Sequence, residues 1–296
     1  MAELVLRPSA KINLNLRVGP RRPDGYHDVR TVLQSIALHD ELRIQATRGP
    51  FELVVEGAGV PAGDTNLVWR AARALWTALR REGEPQHARV TLDKQIPVGA
   101  GLGGGSADAA AALLGLHKLW KGRLAPADLH RLAAGLGADV PFFLVGGTAI
   151  GVDRGDEIYP LVDGPRLGVI IVQPPFPVAT ADAYRWFDEG HAAPADAGAI
   201  GGRIKMGWPT GPLAVVNDLQ APVAARYPIL TDIIWACRRA GAEAAGMTGS
   251  GSAVFAVLDP GAVAGAAQEL ARKSEGWRVL ATRTLARRDA CRRIGL

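Results

Sequence analysis

Pro97-Val-Gly-Ala-Gly-Leu-Gly-Gly-Gly-Ser106 is the stretch of this 296-residue chain whose spacing speaks most directly of chemistry. Five glycines fall between Gly99 and Gly105, and Ala107-Asp-Ala-Ala-Ala-Ala112 follows at once. Glycine lets the backbone bend through positive φ and lets a ligand approach the main chain. A helix opening directly afterwards presents unpaired N–H groups and the positive end of its dipole. Such a loop is a site for phosphate. Two better-known phosphate loops do not fit. Gly99-Ala-Gly101-Leu-Gly103-Gly104 has the letters of G-x-G-x-x-G, but the dinucleotide fingerprint needs an acidic residue ~20 positions on. Leu119-Trp-Lys-Gly-Arg-Leu124 offers none. A Walker A loop ends in Gly-Lys-Ser/Thr, whereas this one ends Gly105-Ser106-Ala107.

Other reactive types stand apart along the chain. In Lys11-Ile-Asn-Leu-Asn-Leu16 the strict alternation predicts a strand with Ile12, Leu14 and Leu16 inward and Lys11, Asn13 and Asn15 on a wet face. That face is either simple solvent exposure or the wall of a polar cleft. Pro23-Asp-Gly25 reads as a turn presenting Tyr26 and His27, either for packing or to meet a ring. Asp139 before Val140-Pro141 has the pattern of a helix cap, and a capped carboxylate is also one fixed in place. A second glycine turn, Gly246-Met-Thr-Gly249-Ser-Gly251-Ser252, precedes a strand.

The elements that must position these residues follow from periodicity. Strands are predicted at 29–36, 41–46, 51–56, 88–92, 167–172, 253–258 and 278–285. Helices are predicted from an Asp64-Thr65 cap through Arg81, then over 106–120, 126–136, 229–239 and 262–273, with a short one carrying Tyr184 after the stiff Pro174-Pro-Phe-Pro177 loop. The segment 192–208 is low in periodicity and reads as irregular. A boundary falls in the turn-rich stretch from Gly155 to Pro165, giving domains 1–160 and 161–296.

Composition narrows the class. A chain with 48% hydrophobic and 21% charged residues is globular, and a net charge of +5 suits anionic partners. The densest basic run, Arg283 to Arg293, reads as a solvated helix face or tail. Cys237 and Cys291 give neither a disulfide framework nor a metal spacing. No apolar run approaches the ~18 residues of a membrane span, and Met1-Ala-Glu-Leu-Val-Leu-Arg7 lacks the pattern of a leader, so a cytoplasmic location is expected.

Taken together and in order, Ala10-Lys-Ile-Asn-Leu-Asn15, Asp24-Gly-Tyr-His27, the glycine loop, Leu136-Gly-Ala-Asp-Val-Pro141 and Met247-Thr-Gly-Ser-Gly-Ser252 resemble the GHMP family of small-molecule kinases. The resemblance implies an α+β, two-domain fold. Its first domain would have left-handed β-α-β character, its second would be ferredoxin-like, and the active site would lie in the cleft between them. It implies ATP with Mg²⁺ bound along Pro97, Val98, Gly99, Ala100, Gly101, Leu102, Gly103, Gly104, Gly105, Ser106 and Ala107. It implies Asp139 as the acid–base residue and Lys11 as its positive partner. It also implies an acceptor, 4-diphosphocytidyl-2-C-methyl-D-erythritol, with Tyr26 and His27 at the cytosine and Asn13, Thr180 and Tyr184 as further substrate contacts. No metal-binding residue is assigned, and whether Mg²⁺ touches protein or rides in on ATP stays open; neither a membrane nor a nucleic-acid partner is implied, and the chain would act as a monomer or weak homodimer. One departure is Ala107, where the family often has a second serine; its backbone N–H is expected to remain available.

Three rivals are distinguishable. A kinase for homoserine, mevalonate or a sugar, or a decarboxylase of the same family, would not need Asp24-Gly-Tyr-His27. A non-catalytic nucleotide-binding regulator would lack Lys11 or Asp139, and both are present. A nucleic-acid binder is suggested by charge alone, without any of the usual motifs.

Overall fold

The computed structural model describes residues 3–57, 59–190, 215–274 and 276–296. The segment predicted as irregular at 192–208 lies outside them. In chain order the elements begin with β1 (Glu3–Leu6), β2 (Ser9–Arg21), β3 (His27–His39), β4 (Glu41–Pro50) and β5 (Glu52–Glu56). Then come α1 (Leu67–Ala78), β6 (Gln86–Asp93), α2 (Gly104–Leu119), α3 (Pro126–Leu136) and α4 (Val140–Val145). They continue through β7 (Thr148–Val152), β8 (Glu157–Pro160), β9 (Gly168–Gln173), α5 (Thr180–Gly190) and β10 (Val216–Asn217). The remainder is α6 (Gln220–Arg226), α7 (Ile229–Arg239), β11 (Ala244–Met247), β12 (Val254–Leu258), α8 (Val263–Lys273), β13 (Arg278–Arg283) and α9 (Arg287–Arg293).

Among the described residues the strands form three sheets. The first has the order β1-β4-β6-β5, in which β5 and β6 run parallel and are joined through α1. The second, β10-β2-β3-β7-β8, is built on the long β2–β3 hairpin, with β10 added parallel to β2. The third, β11-β12-β9-β13, is antiparallel throughout. Counting only its own strands, that order is second, third, first, fourth, with α7 and α8 as the crossovers. This is the ferredoxin-like arrangement expected for the second half.

The alanines after the glycine loop explain how α2 becomes central. Ala107 and Ala109 through Ala112 are fully buried, and their small side chains let α2 lie close to α1 and α4 in one apolar cluster. Two further clusters mix the halves of the chain. One packs Leu16, Val18 and Val29 with Ile170, Leu230 and Met247. The other packs Ala10, Ile12 and Leu14 with Val169, Phe255 and Val257.

Several expectations need correction. The cap of α1 is Asn66, not the Asp64-Thr65 pair: its Oδ1 accepts the Val68 N–H at 2.9 Å while its Nδ2 donates to Pro61 O at 2.8 Å. A short amide can bond on both sides of a helix start, which a carboxylate cannot. The basic run is a solvated face in part: Arg283, Arg288 and Arg292 are exposed, while Arg287 and Arg293 turn back onto the protein. Arg287 donates to the carbonyls of Thr148 and Leu161 at 2.7 and 2.9 Å, and Arg293 donates to Ala37 O at 2.9 Å. These arginines fasten α9 onto the β3–β7 region. Strands β1, β7, β8, β10 and β11 and the helix α9 were not singled out by periodicity, each being short or half-exposed.

Candidate active site

The expected wet face of β2 is buried. Lys11 and Asn13 are each 3% exposed, because the glycine loop and the second glycine turn cover them. Lys11 N–H donates to Leu102 O at 3.0 Å, which ties the strand to the loop. The Lys11 ammonium donates to Asn13 Oδ1 at 2.7 Å and stands 3.4 Å from Asp139 Oδ2. Asn13 is itself held, its Nδ2 donating to Thr31 Oγ1 at 2.7 Å and its N–H to Thr248 Oγ1 at 3.1 Å. A buried ammonium is costly without partners, and this chain of bonds supplies them while fixing where the charge points.

Asp139 does begin α4, but its side chain makes no capping bond. It turns instead to Lys11 and remains 40% exposed, open to the cleft. The capping reading is thereby replaced: the pattern Asp-Val-Pro starts the helix, and the carboxylate is free for a ligand.

The glycine loop owes its shape to two positions in particular. Gly101 has φ +75°, and a Cβ there would lie 2.2 Å from Thr248 O. Gly103, at φ +72°, opens α2 in the left-handed region, and a Cβ there would strike Phe143 and the Lys11 stem. Only glycine lets the loop press against both the second glycine turn and Lys11. As the first residues of α2, Gly104, Gly105 and Ser106 present N–H groups that have no acceptor within the helix. The Ala107 N–H, expected to be available, is donated to Gly103 O at 2.9 Å, and the Ala107 methyl is in the core.

Lys11, Asn13, Asp139, Thr180, Tyr184 and every loop residue from Pro97 to Ser106 line one cavity of about 540 Å³. Thr180 Oγ1 and Ser250 Oγ are 3.0 Å apart, so the start of α5 is fastened to the second glycine turn. Burial pushes the Tyr184 hydroxyl up, and the negative charge of Asp139 adds to the rise. Tyr26 and His27 do not form the wall of this cavity. His27 is buried behind Tyr184, ring centres 5.0 Å apart, with its Nε2 2.8 Å from Asp188 Oδ1. Tyr26 is 55% exposed on its turn, with the Arg154 guanidinium 5.2 Å from its ring centre. The cavity also takes in Asn66, Lys94, Asp108 and Arg154, which motif reading passed over. Of these, Arg154 alone carried a signal, as the charged tip of the Asp153-Arg-Gly-Asp156 turn. Among the described residues no group of three or more His, Cys, Asp or Glu side chains could hold a metal ion.

Comparison with known proteins decides the family. Residues 66–147 match the GHMP kinases N terminal domain, and residues 196–275 match the GHMP kinases C terminal domain. The chain belongs to the GHMP kinase family. This GHMP kinase is 47% identical to the 4-diphosphocytidyl-2-C-methyl-D-erythritol kinase of Pelotomaculum thermopropionicum, over 83% of this chain and 86% of that one. It is 42% identical to the protein of the same name from Anaeromyxobacter dehalogenans, over 96% and 91% of the two chains. Among solved structures, a 4-(cytidine 5'-diphospho)-2C-methyl-D-erythritol kinase superposes with a TM-score of 0.75 at 33% identity, covering 95% of this chain and 99% of that one. A homoserine kinase from Cytophaga hutchinsonii superposes at 0.69 over 97% and 95% of the chains but shares only 17% identity, a likeness of fold. The two-domain α+β fold expected from the motifs is therefore that of this GHMP kinase, a small-molecule kinase. No described helix is long and apolar enough to cross a membrane.

Proposed function

We propose that the chain transfers the γ-phosphoryl group of ATP to the 2-hydroxyl of 4-diphosphocytidyl-2-C-methyl-D-erythritol, a step of non-mevalonate isoprenoid synthesis, in the cytoplasm. The observation that carries this reading is the Lys11–Asp139 pair set beside the free N–H groups of Gly104, Gly105 and Ser106 in one cavity. The names of the relatives supply the acceptor.

In this reading the polyphosphate lies along Pro97 to Ser106, where backbone N–H groups and the α2 dipole balance its charge. Ala107 only seats the helix. Asp139 takes the proton of the acceptor hydroxyl as its oxygen bonds to the γ-phosphorus; the bond from that phosphorus to the bridging oxygen breaks, and ADP leaves. Lys11 holds Asp139 in place and faces the transferring group. Mg²⁺, when bound with the nucleotide, would offset phosphate charge, and no step here runs through a protein-bound metal. Tyr184, Thr180 and Asn13 are assigned to the acceptor side. Tyr26 and His27 are assigned to the cytosine, His27 acting from behind Tyr184 and Tyr26 by swinging inward from its turn. The two functional units are taken as residues 1–160 and 161–296.

The test is ADP release from ATP and Mg²⁺ with 4-diphosphocytidyl-2-C-methylerythritol, beside mevalonate, homoserine and galactose. Turnover with the cytidyl compound alone is expected. Turnover only with another alcohol would leave the kinase standing and remove the cytosine pocket. Nucleotide binding without turnover on any of them would favour a regulator.

A further inference from the structure

Beneath the glycine loop lies a charge cluster that phosphoryl transfer leaves unused. The Lys94 ammonium, just past β6, reaches Asp108 Oδ2 at 2.8 Å and also pairs with Asp40 Oδ2. The three side chains are 7%, 3% and 0% exposed in that order. The two carboxylates are not equivalent. Asp40 Oδ1 accepts the backbone N–H groups of Gln95 and Ile96 at 2.6 and 2.7 Å, fixing the approach to the glycine loop. Among the described residues Asp108 bonds to Lys94, and its Oδ1 is buried without a partner. One ammonium against two carboxylates leaves an unbalanced negative charge out of water, and Asp108 is where that charge is least supported.

Lys94 and Asp108 both face the cavity that Gly103 to Ser106 line. A Cβ on Gly104 would come within 3.2 Å of Lys94 Nζ, so the cluster lies directly against the helix start. The charged groups acting on Asp108 are Lys94 and Asp40. Burial pushes the Asp108 carboxyl up to about 8; Lys94 opposes the rise, and the nearby charge of Asp40 adds to it.

We propose that Asp108 takes up a proton when a nucleotide polyphosphate settles on the glycine loop, coupling nucleotide binding to the charge of the Lys94–Asp40–Asp108 cluster. This rests on the nucleotide reading of the loop. An arriving polyanion makes a second negative charge beneath the loop costlier, so a proton from solvent moves onto Oδ1, the oxygen without a partner. Oδ2 stays on Lys94, which keeps its place. By linkage, nucleotide affinity falls as pH rises past the point where unliganded Asp108 ionises. Asp108 does not touch the nucleotide in this account; it is a positioning residue acting through Lys94 and through its charge.

The experiment is calorimetric titration of the full chain with ADP and Mg²⁺ in Bicine, HEPES and Tris, buffers of different ionisation heat, over a pH series. The slope of binding heat against buffer heat gives protons taken up per nucleotide. The expected uptake is about a few tenths of a proton, largest just above pH 8 and fading toward pH 6. The same slope in Asp108→Asn is expected to lose that component. A wild-type slope that is flat across the series, or an unchanged slope in Asp108→Asn, overturns the coupling. If the variant does not fold, the wild-type pH series decides alone. Absence of any nucleotide binding is a separate result: it sinks the reading of the loop and this inference with it.

Discussion

Lys11 Nζ stands 3.4 Å from Asp139 Oδ2, with the lysine side chain 4% and the aspartate 40% exposed. The asymmetry gives the pair a direction. The cation is built into the protein, while the carboxylate keeps an open side toward the cleft. Asp139→Asn removes the proton acceptor but changes little of the shape. The expected outcome is a loss of turnover of about 10²–10⁴-fold with ADP affinity nearly intact. Steady-state kinetics beside nucleotide titration check this, and wild-type turnover in the variant would take Asp139 out of the mechanism.

The glycine loop offers a paired test of backbone against contact. Gly101→Ala puts a methyl group 2.2 Å from Thr248 O at a positive φ, while the space around Gly105 is free to 3.6 Å and its backbone is helical. Gly101→Ala is expected to lose about 2–4 kcal/mol, a fall in Tm of roughly 5–10 °C. Gly105→Ala is expected to hold or slightly raise Tm. Equal Tm values for the two variants would show that the loop does not press on the Thr248 turn.

His27 lies behind the cavity-lining Tyr184 and is oriented by Asp188. His27→Ala is expected to raise KM for the cytidyl acceptor roughly tenfold, the worth of about one hydrogen bond, with kcat changed little. Asp188→Asn should shift KM the same way by a smaller factor, because it loosens the ring without removing it. An unchanged KM in His27→Ala would detach His27 from acceptor binding.

Asp108 also makes stability depend on pH, with a definite sign. Its carboxyl lies near 3.8 in the unfolded chain and is pushed up to about 8 in the fold. Between those values the unfolded chain gives up the proton first, so wild type loses stability as pH rises through this window and levels off above it. The Tm of Asp108→Asn minus that of wild type should therefore grow from about pH 4 to about pH 8. Thermal melts in matched buffers read this difference; a constant gap, or one shrinking with pH, contradicts it.

Motif order in the sequence was enough for the fold and for singling out the glycine loop, Lys11 and Asp139, which the fold brings to one cavity. The environment of those residues was not legible. Alternation in β2 reads as one wet face, yet Thr248 and the glycine loop arrive from far along the chain to bury Lys11 and Asn13. Asp-Val-Pro reads as a cap because only neighbours in sequence are visible; the pull of Lys11 on Asp139 is tertiary. For the same reason Lys94 went unread: its contacts with Asp40 and Asp108 cannot be inferred from spacing.

The arginine clamps of α9 set an order of events during synthesis. Arg293 binds Ala37 O and Arg287 binds Thr148 O, while the Arg7 N–H donates to Arg293 O. Strand β3 and its neighbours therefore cannot complete their packing until translation has passed Arg293 and that segment has cleared the ribosome tunnel. Until then Ala37 O and Thr148 O keep their bonds from His39 and Leu161 but lack those from the arginines, and a nascent chain stalled short of α9 would be a natural client for chaperones.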